Sequence, residues 1–278
     1  MPAAVTERWR LRPGHHTTLA SLDPGSTAGA PGDRRATEAE LARLQERLRE
    51  GQGRLYAESR RSILVVLQGL DAAGKDGTIG HVFAGINPEG ARVASFKQPT
   101  DEERAHDFLW RIHRQVPQAG EIGIFNRSHY EDVLVARVGK LVPPEVWRAR
   151  YGHINAFEAL LAHGGTTVVK FFLHISYEEQ GERLQDRLDR PDKRWKLQRS
   201  DFIERGHWDA YQEAYADLLT ETSTDGAPWY VVPADHKWFR NWVVSRVLVD
   251  VLENLDPRYP TPPPLDGITP PAPSRRSD

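Results

Sequence analysis

The chain of 278 residues contains no cysteine, which excludes disulfides, thiolate metal sites and a cysteine nucleophile together. It has no apolar run of about 18 residues that would span a bilayer. The first twenty residues, MPAAVTERWRLRPGHHTTLA, lack the apolar core of a secretion signal, so a cytoplasmic protein with no membrane partner is expected. Charge of neither sign dominates: 37 Lys and Arg against 39 Asp and Glu leave −2 at pH 7. No global positive field therefore draws the chain to nucleic acid, and any polyanion site has to be local. An internal linker rich in Pro, Gly and Ser is also missing. With 39% hydrophobic and 27% charged residues, the chain reads as one α/β domain with trimmings.

Residues 1–36, rich in Gly, Pro, Arg and His, lack apolar periodicity and are expected to form an irregular arm. The domain is expected over residues 37–256, and a Pro-rich tail over 257–278. Thr37 and Glu40 have the spacing of a capping box, and Leu41, Leu44 and Leu48 fall on one face of the helix that runs toward Arg49. A continuous β-branched and apolar run at 62–68 predicts a strand buried on both faces of a parallel sheet, and further strands are expected at 91–96, 121–126, 168–173 and 229–232. Helical patterns alternate with them: one opened by a Thr100–Glu103 box and carrying Phe108, Leu109 and Ile112, one from Pro144 to Gly164, one capped by Ser176 and Glu179, and others over 200–222 and 236–255. Such alternation predicts βαβ units and a parallel sheet with helices on both faces.

Directly after the first strand comes GLDAAGKDGT, residues 69–78. Gly69, Ala72, Ala73, Gly74, Lys75, Asp76 and Gly77 supply the glycines, backbone N–H groups and lysine of a phosphate-binding loop at a helix N-terminus. The usual Ser or Thr after the lysine is replaced by Asp76, and Asp71 lies inside the loop. Asp76 suits the positive end of a helix dipole. Asp71 would repel a cradled phosphate unless a cation intervened, so it is a candidate Mg²⁺ ligand or an orienter of the attacking phosphate.

The third strand runs into NRSHYED, residues 126–132. Residues just past the carboxyl ends of strands line the ligand crevice of an open parallel sheet, so Asn126 and Arg127 are expected to face Lys75. Glu131 and Asp132 offer carboxylates for a metal. His129 is expected as a packed, hydrogen-bonded histidine, because phosphate nucleophiles are already ionised near neutral pH and need no general base. After the fourth strand, seven basic residues against three acidic ones lie between Arg183 and Arg199. Arg183 and Arg187 share a helix face, and Pro191 ends that turn before Lys193, Arg194 and Lys196. Position allows this segment, about 180–200, to close over the crevice as a basic lid that neutralises charge on a transferring phosphoryl group.

These three stretches, Gly-x-Asp-x-x-Gly-Lys-Asp-Gly (69–77), Asn-Arg-Ser-His-Tyr-Glu-Asp (126–132) and Glu-Arg-Leu...Arg-Leu-Asp-x-Pro-x-Lys-x-Trp-Lys (182–196), resemble the polyphosphate kinase 2 family over residues 40–262. The resemblance implies reversible phosphoryl transfer between inorganic polyphosphate and nucleotides, on a fold like that of thymidylate kinase, with Mg²⁺. It implies catalytic roles for Asp71, Lys75, Arg127 and Arg187, with Arg183, Lys193 and Lys196 among the phosphate-binding groups. Asp71, Asn126 and Glu131 would meet the nucleotide. Two branches carry Asp-Arg-Ser-Trp-Tyr at the second motif; Asn126 and His129 here look like the third branch, which accepts nucleoside mono- and diphosphates such as AMP and ADP. Asn126 carries no charge, so metal holding passes to Asp71 or Glu131. Self-association into a homo-oligomer is expected. Two rival functions share these residues: a nucleoside monophosphate kinase driven by ATP, and a binding module without turnover. Nucleic acid is a weaker partner, since no base-reading motif is present.

Overall fold

The structure is a computed structural model that describes residues 2–16, 18–264 and 267, with residues 2–5 described by backbone alone. Strands β1 (Ser62–Gln68), β2 (Ala91–Ser95), β3 (Ile122–Asn126), β4 (Thr166–His174) and β5 (Trp229–Pro233) form one sheet in the order β2-β3-β1-β4-β5. Every pairing is parallel. Every residue of β1 is buried, which is why the strand reads as an unbroken apolar run. In chain order the helices are α1 (Pro2–Trp9), α2 (Arg34–Glu58), α3 (Lys75–Val82), α4 (Asp101–Arg104), α5 (Trp110–His113), α6 (Glu131–Val138), α7 (Pro144–His163), α8 (Tyr177–Asp189), α9 (Arg199–Arg205), α10 (Trp208–Thr222) and α11 (Lys237–Leu255). α11 packs against α1, α2 and α3 in one layer, while α6, α7 and α10 pack together in another.

Strand order fixes where a ligand can sit. From β1 the chain passes to β2 on one side of the sheet, whereas from β3, the neighbour of β1, it passes to β4 on the other. Two adjacent strands whose connections depart in opposite directions leave a crevice at their carboxyl ends. Residues 69–74 and 127–130, which follow β1 and β3, both lie at that point. Leu67 and Asn126 are register partners, and the Arg127 N–H donates to the Leu67 carbonyl at 3.1 Å.

Several boundaries depart from the sequence reading. The long helix α2 starts at Arg34 rather than at a Thr37–Glu40 box, because Asp33 is an equally good cap four residues earlier: its carboxylate accepts from the Ala36 N–H at 2.8 Å. Thr37 is buried within the first turn and donates its hydroxyl to Asp33 O at 2.9 Å. The same helix runs past Arg49 to Glu58 through Gly51, where a Cβ would lie 2.9 Å from Leu252 Cδ1. Close packing on α11 thus outweighs the helix penalty of glycine, roughly 1 kcal/mol. The Thr100–Glu103 box forms, but its helix stops at Arg104, since Asp107 caps a new turn by accepting from the Leu109 N–H at 2.9 Å. The expected helix over 200–222 breaks at Gly206 and His207 into α9 and α10.

The arm is not irregular throughout. α1 packs on α11 and β5, Trp9 meets the Phe239 ring edge-on at 5.9 Å, and the Leu11 N–H donates to Trp229 O at 2.8 Å along the free edge of β5. Residues 256–264 carry no regular element, and 265–266 and 268–278 of the Pro-rich tail lie outside the described residues. Among the described residues no helix is long and apolar enough to cross a membrane.

Candidate active site

The turn from β1 into α3 takes Gly69, Ala72 and Gly74 to φ values of 153°, 63° and 106°. At Gly74 a Cβ would fall 1.9 Å from Nη1 of Arg240, so only glycine fits. Ala72, which is not glycine, occupies the left-handed region only because its surroundings hold it there. They do so from two helices. Arg183 Nη1 of α8 donates to the carbonyls of Ala72 and Ala73, each at 3.0 Å, and Arg240 Nη1 of α11 donates to Ala73 O at 3.1 Å. Lys75 opens α3, is buried, and donates through Nζ to Gly69 O at 2.6 Å and Leu70 O at 3.3 Å. Burial, then the neighbouring Arg127, push its pKa below the ordinary lysine value. Its ammonium is thus tied to the loop at the N-terminus of α3, where free N–H groups and the helix dipole favour an anion.

Arg127 is the hinge of the opposite wall. Its guanidinium reaches Asp71 at 2.5 Å and Glu131 at 3.2 Å, and so ties the loop after β3 to the loop after β1. Gln68, the last residue of β1 and fully buried, donates to Glu131 Oε1 at 2.9 Å, while its carbonyl oxygen accepts from Ser128 Oγ at 3.4 Å. Asn126 donates to Asp76 Oδ1 at 2.6 Å. Gln180 of α8 donates to the Asp71 carbonyl at 3.0 Å. Burial works to raise the Asp71 carboxyl, but Lys75 and Arg127, a hydrogen bond from Glu204 and the more distant Arg187 outweigh it and hold it below its ordinary value. Glu204, on α9, behaves oppositely: burial and then the charge of Asp71 push it up to about 7. Both carboxyls line one crevice together with Gly69, Arg127, Glu131, Tyr211 and Tyr215.

The basic lid divides into two kinds of residue. Arg183 is buried, and besides the loop carbonyls its Nη2 donates to Ala234 O at 2.6 Å and Asp235 O at 2.9 Å. Its donors are committed to protein carbonyls and to Glu179 at 2.7 Å, so it supports the loop from below where a direct phosphate contact was expected. Arg187, one turn further along α8, is half-buried and within electrostatic range of Asp71. Lys193 is paired with Asp186 at 2.7 Å, and Lys196 lies exposed with Nζ 5.2 Å from the Trp195 ring centre.

Two residues offered by the second motif lie elsewhere. Asp132 is outside the crevice lining and pairs with Arg111 at 3.2 Å. His129 is fully buried with Nε2 3.2 Å from Glu158 Oε1, the packed histidine that was expected. Sequence reasoning missed Gln68, Glu204, Arg240 and the tyrosine wall. Gln68 left one signal, a polar residue at the end of an apolar strand; Glu204 left none, because α9 reaches Asp71 only through the fold.

A glycine-bearing loop and lysine at the carboxyl end of a central parallel strand, faced by an arginine and carboxylates from the next strand, define a phosphate-handling α/β protein. The chain belongs to the polyphosphate kinase 2 family, whose model matches residues 32–260. It is 55% identical, over 92% of its own length and 96% of the relative's, to an AMP/ADP-polyphosphate phosphotransferase of Meiothermus ruber. An ADP-polyphosphate phosphotransferase of Rhodopseudomonas palustris is 46% identical over 80% of this chain and 81% of that one. Among solved structures, polyphosphate kinase 2 from Arthrobacter aurescens superposes with a TM-score of 0.89 at 44% identity, covering 94% of this chain and 92% of the other.

Proposed function

We propose that this protein transfers the terminal phosphoryl group between inorganic polyphosphate and AMP or ADP, with Mg²⁺. The observation that carries the reading is the Asp71–Arg127–Glu131 chain, closed by ion pairs of 2.5 and 3.2 Å beside the buried Lys75 at the sheet's switch point. Family membership and the printed activities of the relatives from Meiothermus and Rhodopseudomonas support it.

In this reading the loop's N–H groups and Lys75 hold phosphate oxygens, and Arg127 grips the phosphate that faces them. The acceptor's phosphate oxygen attacks the terminal phosphorus of polyphosphate, the bridging P–O bond breaks, and the shortened chain leaves with that oxygen. The attacking oxygen is already ionised, so no side chain has to remove a proton, which agrees with the burial of His129 away from the crevice. Catalysis then rests on fixed positive charge. Lys75, with two of its three N–H donors on loop carbonyls, keeps one for a phosphate oxygen and stabilises charge that grows in the transition state.

Whether the residues suit Mg²⁺ is decided by the donor set. Among the described residues no three His, Asp or Glu side chains form a ready metal cage. Mg²⁺ seldom needs one, because one or two carboxylates plus substrate phosphates and waters complete its shell. Asp71 and Glu131 are such a pair: both line the crevice and both are bridged by the Arg127 guanidinium. Asp71 and Glu131 would hold the ion, which when bound supplies charge neutralisation at the phosphate oxygens. If Glu131 holds the ion near the acceptor's terminal phosphate, either AMP or ADP would be accepted.

The test is incubation with polyphosphate, AMP and Mg²⁺ in the absence of ATP. ADP should appear, followed by ATP. Phosphorylation of AMP only when ATP is supplied would replace this reading by an ATP-driven kinase, and binding without product would make the protein a module without turnover.

A further inference from the structure

Arg127 holds φ at 61°, a backbone conformation that costs a residue with a side chain on the order of 1 kcal/mol and persists only where its surroundings over-determine it. Upstream the constraint is the β3 ladder. Downstream the chain runs through Ser128, His129 and Tyr130, all with 0% exposure, into α6, whose first turn has no side-chain cap. What fixes those residues is a buried polar network. Glu158 of α7 accepts from the Tyr130 hydroxyl at 2.8 Å, lies 3.2 Å from His129 Nε2, and pairs with Lys170 of β4 at 2.5 Å. Lys170 also donates to the Tyr130 hydroxyl at 2.9 Å and to Thr222 O, at the end of α10, at 2.7 Å. Tyr130 packs against Trp229, ring centres 4.9 Å apart and planes inclined by 58°, and the Trp229 indole N–H donates to Thr222 Oγ1 at 2.9 Å.

An ion pair in an apolar core is a poor way to gain stability, because taking both charges from water costs about as much as their attraction returns, and well-packed apolar replacements are often neutral or better. What this pair does have is geometric specificity: the bonds that Glu158 accepts come from the two loop residues after Ser128 and from the lysine that also grips one of them. We infer that Glu158 and Lys170 are positioning residues for phosphoryl transfer: through His129 and Tyr130 they hold the loop after β3 so that Arg127 spans Asp71 and Glu131. The inference rests on the proposed role of Arg127 in gripping phosphate. None of the four network residues lines the crevice, so they act through Arg127 and not on substrate.

A double-mutant cycle tests this with polyphosphate, AMP and Mg²⁺. Arg127→Lys keeps one charge, loses the two-pronged contact, and should lower kcat about a hundredfold while leaving a measurable residue of turnover. Glu158→Gln should lower kcat roughly 10- to 100-fold with little change in the KM for polyphosphate, and Tyr130→Phe about fivefold. Tyr130→Phe removes a single hydroxyl and keeps the ring packed, so it completes the cycle if Glu158→Gln does not fold. In the Arg127→Lys background both network substitutions should cost less than about twofold. Equal losses in the two backgrounds would overturn the positioning role and leave the role of Arg127 standing. Unimpaired kcat in a folded Glu158→Gln or Tyr130→Phe variant would do the same. Full activity of Arg127→Lys would overturn the role of Arg127 itself, and the inference with it.

Discussion

Charge is arranged in opposite ways at the carboxyl end of the sheet and in the basic segment that follows β4. At the carboxyl ends of β1 and β3, Asp71, Arg127, Glu131 and Gln68 are buried or half-buried and bonded in a chain, and the buried Lys75 is held by the carbonyls of Gly69 and Leu70. In the lid, Arg190 pairs with its near neighbour Asp192 at 2.8 Å and Lys193 with Asp186 at 2.7 Å, all at the surface, beside a Trp195 that is 77% exposed. Fixed, dry charges stabilise a transition state because they need no rearrangement when it forms. Solvated, loosely held charges are poor at that and adequate for attracting a polyanion without base or sugar. The sheet end should therefore govern turnover and the lid should govern capture.

Asp71→Asn sharpens the contrast most, since the amide keeps the shape and loses the charge that opposes Arg127. Activity should fall on the order of 10²- to 10³-fold and the Mg²⁺ dependence should weaken. An active variant with an unchanged Mg²⁺ titration would return Asp71 to a structural role. Arg183→Ala leaves the carbonyls of Ala72, Ala73 and Ala234 short of a buried donor. It should lower stability by about 1–3 kcal/mol in urea unfolding. If it left stability intact and raised only the KM for polyphosphate, Arg183 would belong to the lid's substrate surface after all. Arg187→Ala should raise the KM for polyphosphate about tenfold, more than that for nucleotide, and less so in high salt. The reverse pattern would assign the lid to the nucleotide.

A smaller effect follows from Glu204. Its carboxyl, raised by burial and then by Asp71 from 4.5 to about 7, keeps a proton in the folded chain that the unfolded chain has lost over that interval. The folded state thus binds more protons there, so this group's contribution to stability declines as pH rises from about 4.5 to about 7 and is level above. Asp71, held below its ordinary 3.8, titrates outside that window. Melting temperatures between pH 5 and 8 should show the decline in the wild type and a flatter line in Glu204→Gln. Parallel lines would remove Glu204 from the contact.

β1, β3, β4 and β5 were legible because they are buried on both faces and so appear as apolar runs, whereas the edge strand β2 is largely exposed and reads as the weaker Ala-Arg-Val-Ala-Ser; the loop and Arg127 were legible because strand ends in a parallel sheet converge. Helix starts were less so: Asp33 and Thr37 are both competent caps, and only packing chooses between them. Arg183 and Arg187 share a helix face, yet one turn of helix separates a buried support from a half-buried charge, a difference of depth that spacing does not encode. Lys170 stands inside the apolar strand VVKFFLH and Glu158 on the apolar face of α7, which signals a buried pair without naming partners twelve residues apart in sequence and joined to Tyr130 only in space.

The division between turnover and capture is tested most directly by comparing Lys75→Ala with Lys193→Ala/Lys196→Ala in steady-state kinetics with polyphosphate as sole donor. Lys75→Ala should lower kcat more than about a hundredfold in a folded protein, while the lid variant keeps kcat within about twofold and raises the KM for polyphosphate in a salt-dependent way. A folded Lys75→Ala enzyme with near-normal kcat, or a lid variant whose kcat collapses at unchanged KM, would contradict it.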